Sequence, residues 1–190
     1  MRSSQFISLL KLSTVLLAAT LTTACSNYHY KDYQGEWAPE SMKPYDLSDG
    51  AADAPVVYFA TTQFRALGVP FHRLLLATQV DGQSLPGAGR LSILDVSGKQ
   101  ALRLTPGKHS LGWCWASMNG LGTGGAKCGF GANDVEFRAG QRYIVDFSTS
   151  NHISGPPGRE VATINIESEI RNLDTKEVVY PTTDYSLIEE

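Results

Sequence analysis

His109-Ser110-Leu111-Gly112-Trp113-Cys114-Trp115 alternates large apolar side chains with small or polar ones, without a break. Successive side chains of an extended strand point to opposite faces, so Leu111, Trp113 and Trp115 share one face and Cys114 lies on the other. Large apolar groups at period two need a second layer to cover them, which marks this stretch as one strand of a sandwich or barrel. Val135-Glu136-Phe137, Tyr143-Ile144-Val145-Asp146-Phe147 and Ala162-Thr163-Ile164-Asn165-Ile166 repeat the alternation. Shorter apolar runs at 56–60, 73–80, 91–93 and 101–104 are bounded by turn signals such as Asp81-Gly82, Ser97-Gly98 and Pro106-Gly107.

Beyond residue 25, no window of about 12 residues carries a convincing helical period. The pattern predicts an all-β domain over residues 55–190, an antiparallel β-sandwich of the immunoglobulin-like or transthyretin-like kind, with about seven or eight short strands. Two insertions break the rhythm: residues 119–131, rich in glycine, and residues 150–158, which contain Gly155-Pro156-Pro157-Gly158. Residues 25–54 read differently. They are polar, with Tyr28, Tyr30, Tyr33 and Trp37 scattered through them and Pro39, Pro44 and Gly50 breaking any period. This composition predicts an extended tether, whose aromatics either lie at a membrane surface or dock on the domain.

The first 24 residues form a third region. Arg2 and Lys11 precede a short apolar run at 12–21, and no acidic residue accompanies them. That is the layout of a secretory signal peptide, and the run falls short of the roughly 20 residues that span a bilayer. Thr22-Thr23-Ala24-Cys25 resembles the lipobox of bacterial lipoproteins, with Thr22 where that family usually has Leu. The resemblance implies cleavage before Cys25 and acyl chains on its thiol, enough for stable anchoring. An ordinary secretory signal cut after Ala19 or Ala24 is the rival reading. Ser26, in place of an Asp, favours the outer membrane of the cell envelope, with the domain facing the periplasm.

With Cys25 assigned to lipid, Cys114 and Cys128 remain. An oxidising periplasm is expected to join them as a disulfide. Its ring of about 15 residues would stabilise the fold by about 3 kcal/mol on the chain-entropy account. A metal site lacks partners, because there is no Cys-x-x-Cys and His72, His109 and His152 show no zinc-type spacing to the pair.

A second likeness lies in the domain. Leu102-Arg103-Leu104-Thr105-Pro106-Gly107-Lys108-His109-Ser110-Leu111, with Phe137-Arg138-Ala139-Gly140-Gln141-Arg142-Tyr143 further on, resembles PEGA-like and related small bacterial envelope lipoprotein domains. The likeness covers about residues 55–180 and implies a compact β-sandwich without a shared enzymatic activity.

The chain carries 16 Lys and Arg against 19 Asp and Glu, a net charge of −3. Loss of Arg2 and Lys11 would take the mature chain to about −5. No cluster of Lys and Arg stands out, which excludes a nucleic-acid partner. Gly120-Leu121-Gly122-Thr123-Gly124-Gly125 matches the spelling of a dinucleotide fingerprint, but nothing after it can open the required helix. Ser110, His109 and Asp134 can be written as a triad, yet neighbouring strand residues point apart. Glu167 and Glu169 share a face as an exposed polar strand would place them.

No catalytic residue, metal or cofactor is therefore expected. The leading expectation is a non-enzymatic envelope lipoprotein whose disulfide-stapled, glycine-rich loop contacts another envelope protein or the cell wall. Phe130, flanked by Gly129 and Gly131, is the candidate for an exposed contact. Trp113 and Trp115 sit on the face that Leu111 marks as core, and exposed they would make a glycan or small-ligand platform instead. A cell-wall hydrolase is the minor alternative.

Overall fold

The structure, a computed structural model, describes residues 38–90, 96–119 and 124–189. The signal region, Cys25 and the four aromatics of the tether lie outside these residues, as do Leu91-Ser92-Ile93 and the segment 120–123. Every helix or strand among the described residues is a strand, thirteen in number. In chain order they are β1 (Tyr45–Leu47), β2 (Val56–Phe59), β3 (Thr61–Ala66), β4 (Val69–Val80), β5 (Gln83–Ser84), β6 (Gly89–Arg90), β7 (Val96–Ser97) and β8 (Ala101–Leu104). Five long strands complete the order: β9 (Gly107–Asn119), β10 (Gly124–Phe137), β11 (Arg142–Ser154), β12 (Val161–Asn172) and β13 (Val178–Glu189).

They form two packed sheets, the sandwich-like all-β fold that the period-two pattern predicts. The first sheet runs β1-β8-β2-β11-β12-β13, the second runs β10-β9-β4-β3 with β5 beside β4, and β6 and β7 make a small pair. Strand number and direction differ from the sequence expectation. β1 with β8 and β2 with β11 are parallel. Parallel neighbours are never joined by a hairpin, so no local turn signal announces them.

The main core lies between the sheets. Leu111, Trp113 and Trp115 of β9 and Leu75 and Ala77 of β4 face Val57, Phe59, Leu102, Leu104, Tyr143, Val145, Ile166 and Ile170. Burying each Leu, Ile, Val or Phe side chain contributes about 1.5–3 kcal/mol, and these layers carry most of the stability. Ala60 joins the sheets at one edge: its N–H donates to the Val145 carbonyl at 3.0 Å, and its carbonyl accepts the Leu75 N–H at 2.9 Å.

The outer face of the first sheet is also apolar. Tyr58, Ala101 and Ile144 lie there, and Met42 packs over them. The Tyr58 hydroxyl donates to the Pro39 carbonyl at 3.2 Å, and the Arg103 Nη2 donates to the Ala51 and Ala52 carbonyls, each at 3.0 Å. The tether assigned to 25–54 is thereby corrected in its described part. Residues 38–54 are built into the domain, because the sheet needs a cover that short-range periodicity does not reveal.

Beyond Ala60 the layers continue past the best-packed core. β4 and β9 stay paired out to Phe71 opposite Asn119, and β11 and β12 out to Ser154 opposite Val161. Arg73 Nη1 donates to Thr149 Oγ1 at 2.5 Å and bridges the two extensions. One end of the sandwich therefore gathers the Leu67-Gly68 turn, the strand ends at Asn119 and Gly124, and the 155–160 connection.

Candidate functional site

Cys114 and Cys128 stand directly opposite each other on β9 and β10, and their sulfurs are bonded with Cα atoms 4.0 Å apart. The bridge lies on the outer face of the second sheet, not at the mouth of a loop. Leu74, Leu76, Val96, Cys114 and Ala116 form a small buried cluster there, with Ala126 and Cys128 packed against it. The disulfide thus clamps two adjacent strands and serves as the centre of a secondary core.

The glycine-rich loop expected at 119–131 is corrected by the same pairing. Its described part, residues 124–131, belongs to β10, whose register runs from Gly124 opposite Met118 to Gly131 opposite Gly112. The glycines have packing reasons. A Cβ on Gly124 would collide with the Ser117 carbonyl oxygen, and one on Gly131 would stand 2.9 Å from the Leu111 carbonyl oxygen. Gly124 and Gly125, two members of the apparent dinucleotide fingerprint, sit in an antiparallel hairpin rather than at a strand-to-helix turn. Gly120 and Gly122 lie outside the described residues.

Phe130 is corrected as well. A β-bulge between Cys128 and Phe130, with Gly129 at φ 98°, shifts the alternation by one residue. Without that shift Phe130 would share the outer face of Cys128. With it, Phe130 turns inward opposite Trp113 and is 2 % exposed. Trp113 and Trp115 are each 1 % exposed, and the Phe59 and Trp113 rings stand 6.3 Å apart. All three candidate contact residues are core residues, which withdraws them as an interaction surface and removes the glycan platform.

The catalytic arrangements that can be written from residue types do not assemble. His109 turns to Asp81 instead of Ser110: its Nδ1 lies 2.7 Å from Asp81 Oδ2, while its Nε2 lies 2.9 Å from the Thr105 carbonyl and 3.2 Å from Thr105 Oγ1. Both ring nitrogens are thus engaged by Asp81 and Thr105, and neither is turned to Ser110. Burial pushes the Asp81 carboxyl up, but the Ser110 N–H at 2.8 Å and His109 outweigh it and hold it below the ordinary value. Asp134 meets Ser110 only through its backbone, its N–H donating to Ser110 Oγ at 3.3 Å. Glu169 pairs with Arg171, and Glu167 accepts from Ser148 Oγ at 3.2 Å, both on the outer face of the first sheet. They border a shallow depression of about 260 Å³ with Asp146 and Phe147. Among the described residues no group of three or more His, Cys, Asp or Glu could hold a metal.

A polar corner closes the opposite end of the sandwich. The Tyr143 hydroxyl accepts the Arg138 N–H at 2.9 Å and donates to Gln141 Oε1 at 3.0 Å, and Asn172 Nδ2 donates to the same oxygen at 2.6 Å. The Phe137 ring meets the Tyr143 ring edge-on at 4.9 Å. This is the arrangement of a tyrosine corner, with its hydroxyl returned to backbone a few residues upstream. Its groups satisfy one another and brace the β10–β11 turn.

What sequence reading missed lies at the hairpin end. Leu67 is fully exposed, Ile153 is 68 % exposed, and Phe64 and Val161 are exposed too. The signal for Leu67 was legible as Leu67-Gly68 between Phe64 and Phe71, two residues tying two strands. Ile153 lies in the Pro-rich insertion, where period two continues into a strand although its neighbours are polar. Compared with family models, with curated proteins and with solved structures, the chain matches none.

Proposed function

We propose that this protein is a non-enzymatic lipoprotein of the bacterial envelope, held by lipid on Cys25 and acting through contacts made at the hairpin end of its sandwich. The observation that carries the reading is the extension of β3–β4 and β11–β12 past the core, with Leu67 and Ile153 exposed at their ends. A partner protein of the envelope or the cell wall fits such an end. The lipobox-like Thr22-Thr23-Ala24-Cys25 and the likeness to PEGA-like domains support the location and the lack of catalysis. The hydrolase alternative loses support because His109 is engaged by Asp81 and Thr105, and the glycan alternative because Trp113 and Trp115 are buried.

Two experiments test the proposal. Labelling with a radioactive fatty acid, with Cys25→Ala as control, is expected to mark the protein only when Cys25 is present. Crosslinking in intact cells through the 119–124 connection is expected to capture an envelope component. An unlabelled protein would overturn the anchor, and loss of the connection without any change in captured species or phenotype would overturn the contact.

A further inference from the structure

Leu67 occupies the apex of the β3–β4 hairpin with φ 50°, in the left-handed region, and Gly68 comes next at φ 81°. Left-handed backbone is costly for a branched, bulky residue and nearly free for Asn or Gly. The side chain recovers nothing inside the molecule, since its relative exposure is 105 %. A leucine that burdens the fold and touches none of it is explained by an apolar environment outside the chain.

The surroundings indicate which environment. Phe64 and Phe71 stack beneath the apex with ring centroids 5.2 Å apart, and Phe64 is 38 % exposed. The Arg73 guanidinium lies 4.8 Å from the centre of the Phe64 ring, and exposed Arg65 stands on β3 one residue before Ala66. From Ala54 to Val80 the sequence contains no Asp or Glu, and from Val96 to Asn133 none either. Strands β3, β4 and β9 thus carry only cationic charged side chains, in a chain whose net charge is −3. The acidic residues of this end, Glu160 in the 155–160 connection and Glu189 on β13, stand on the side of the first sheet. An apolar apex, aromatics behind it and cations with no carboxylate on the strands of its own sheet there is the pattern of a group that seats at the headgroup boundary of an anionic bilayer.

We propose that the β3–β4 apex is a membrane-contact point, which inserts Leu67 at the surface of an anionic phospholipid bilayer while Arg65 faces the headgroups. A pocket on a partner protein would satisfy Leu67 but gives no reason for the missing carboxylates. The proposal rests on the reading of the hairpin end as the contact surface and takes lipid, in place of a protein or the cell wall, as what Leu67 touches there; it is independent of lipid on Cys25.

The test uses the full chain with photoreactive benzoylphenylalanine at position 67 or, as control, at position 175 in the β12–β13 turn at the other end of the sandwich. Each is mixed with vesicles of phosphatidylethanolamine and phosphatidylglycerol, or of phosphatidylcholine alone. Irradiation is expected to give phospholipid adducts from position 67 on the anionic vesicles and far fewer from position 175. Arg65→Gln is expected to lower the yield at position 67 about five-fold, the effect of one cation near such a surface. Equal adducts at both positions would mean that an anchor alone brings the domain to lipid. That outcome overturns the proposal, as do adducts to protein only or a yield indifferent to vesicle charge.

Discussion

His109 Nδ1 stands 2.7 Å from Asp81 Oδ2, and this contact ties the β4–β5 turn to the first turn of β9. Asp81 completes the tie by accepting the Ser110 N–H with its other oxygen at 2.8 Å. A second carboxylate clamp stands at the same end of the sandwich, where Arg142 donates to Asp174 through its guanidinium and its backbone N–H.

These carboxylates give the fold an acid-sensitive stability. Asp81 and Asp174 lie below the ordinary value of 3.8, Asp174 because of the Arg142 side chain and then the Arg142 N–H. A carboxyl depressed in the folded state stabilises that state fully above its unfolded value and loses the contribution as pH falls through the folded value. The denaturant midpoint is therefore expected to hold above about pH 4 and to drop below it. In Asp81→Asn with Asp174→Asn the drop should be shallower, and an unchanged acid slope would contradict the assignment.

Removing the Cys114–Cys128 bond should cost stability without changing the fold. The ring of about 15 residues predicts a loss of about 3 kcal/mol in a Cys114→Ala, Cys128→Ala protein, read from urea unfolding. Retained β-sheet circular dichroism is expected, since the main core lies on the other face of β9. Loss of all folded signal would show that the outer cluster of Leu74, Leu76 and Val96 carries more than its share.

Gly131→Ala should destabilise by about 1–3 kcal/mol, because the new methyl group meets backbone rather than a movable side chain. The partner is the Leu111 carbonyl oxygen at 2.9 Å from the built Cβ. Gly125→Ala, where nothing stands within 4 Å, is the matched control and should be nearly neutral. Thermal midpoints of the two variants check the difference.

Leu67→Asn should behave in the opposite sense and raise stability by up to about 1 kcal/mol, since Asn accepts the left-handed backbone. A fall in the thermal midpoint would mean that Leu67 packs in the folded protein after all.

The sequence made the layers legible where period two is unbroken. Leu111, Trp113 and Trp115 on β9 and Tyr143 and Val145 on β11 can be assigned to the core from spacing alone. Pairing across long separations is not written in spacing. Nothing near Tyr45 announces that residues 45–47 lie parallel to residues 102–104, so residues 38–54 read as tether. Phe130 failed for a local reason: one bulge glycine inverts the facing of the strand beyond it, and the letters Gly-Phe-Gly look the same in either phase. The Cys114–Cys128 pair was legible through chemistry rather than geometry. Leu67 was visible but ordinary until its backbone angle set it apart.

Ala60 donates one hydrogen bond into the first sheet and accepts one from the second. A sandwich whose layers meet only through side chains can slide, since apolar contacts have no direction. Here the backbone itself fastens the layers at that edge, so lateral sliding would have to break two oriented bonds on a single residue. The place where Val145 and Leu75 meet Ala60 is consequently a fixed seam between the layers.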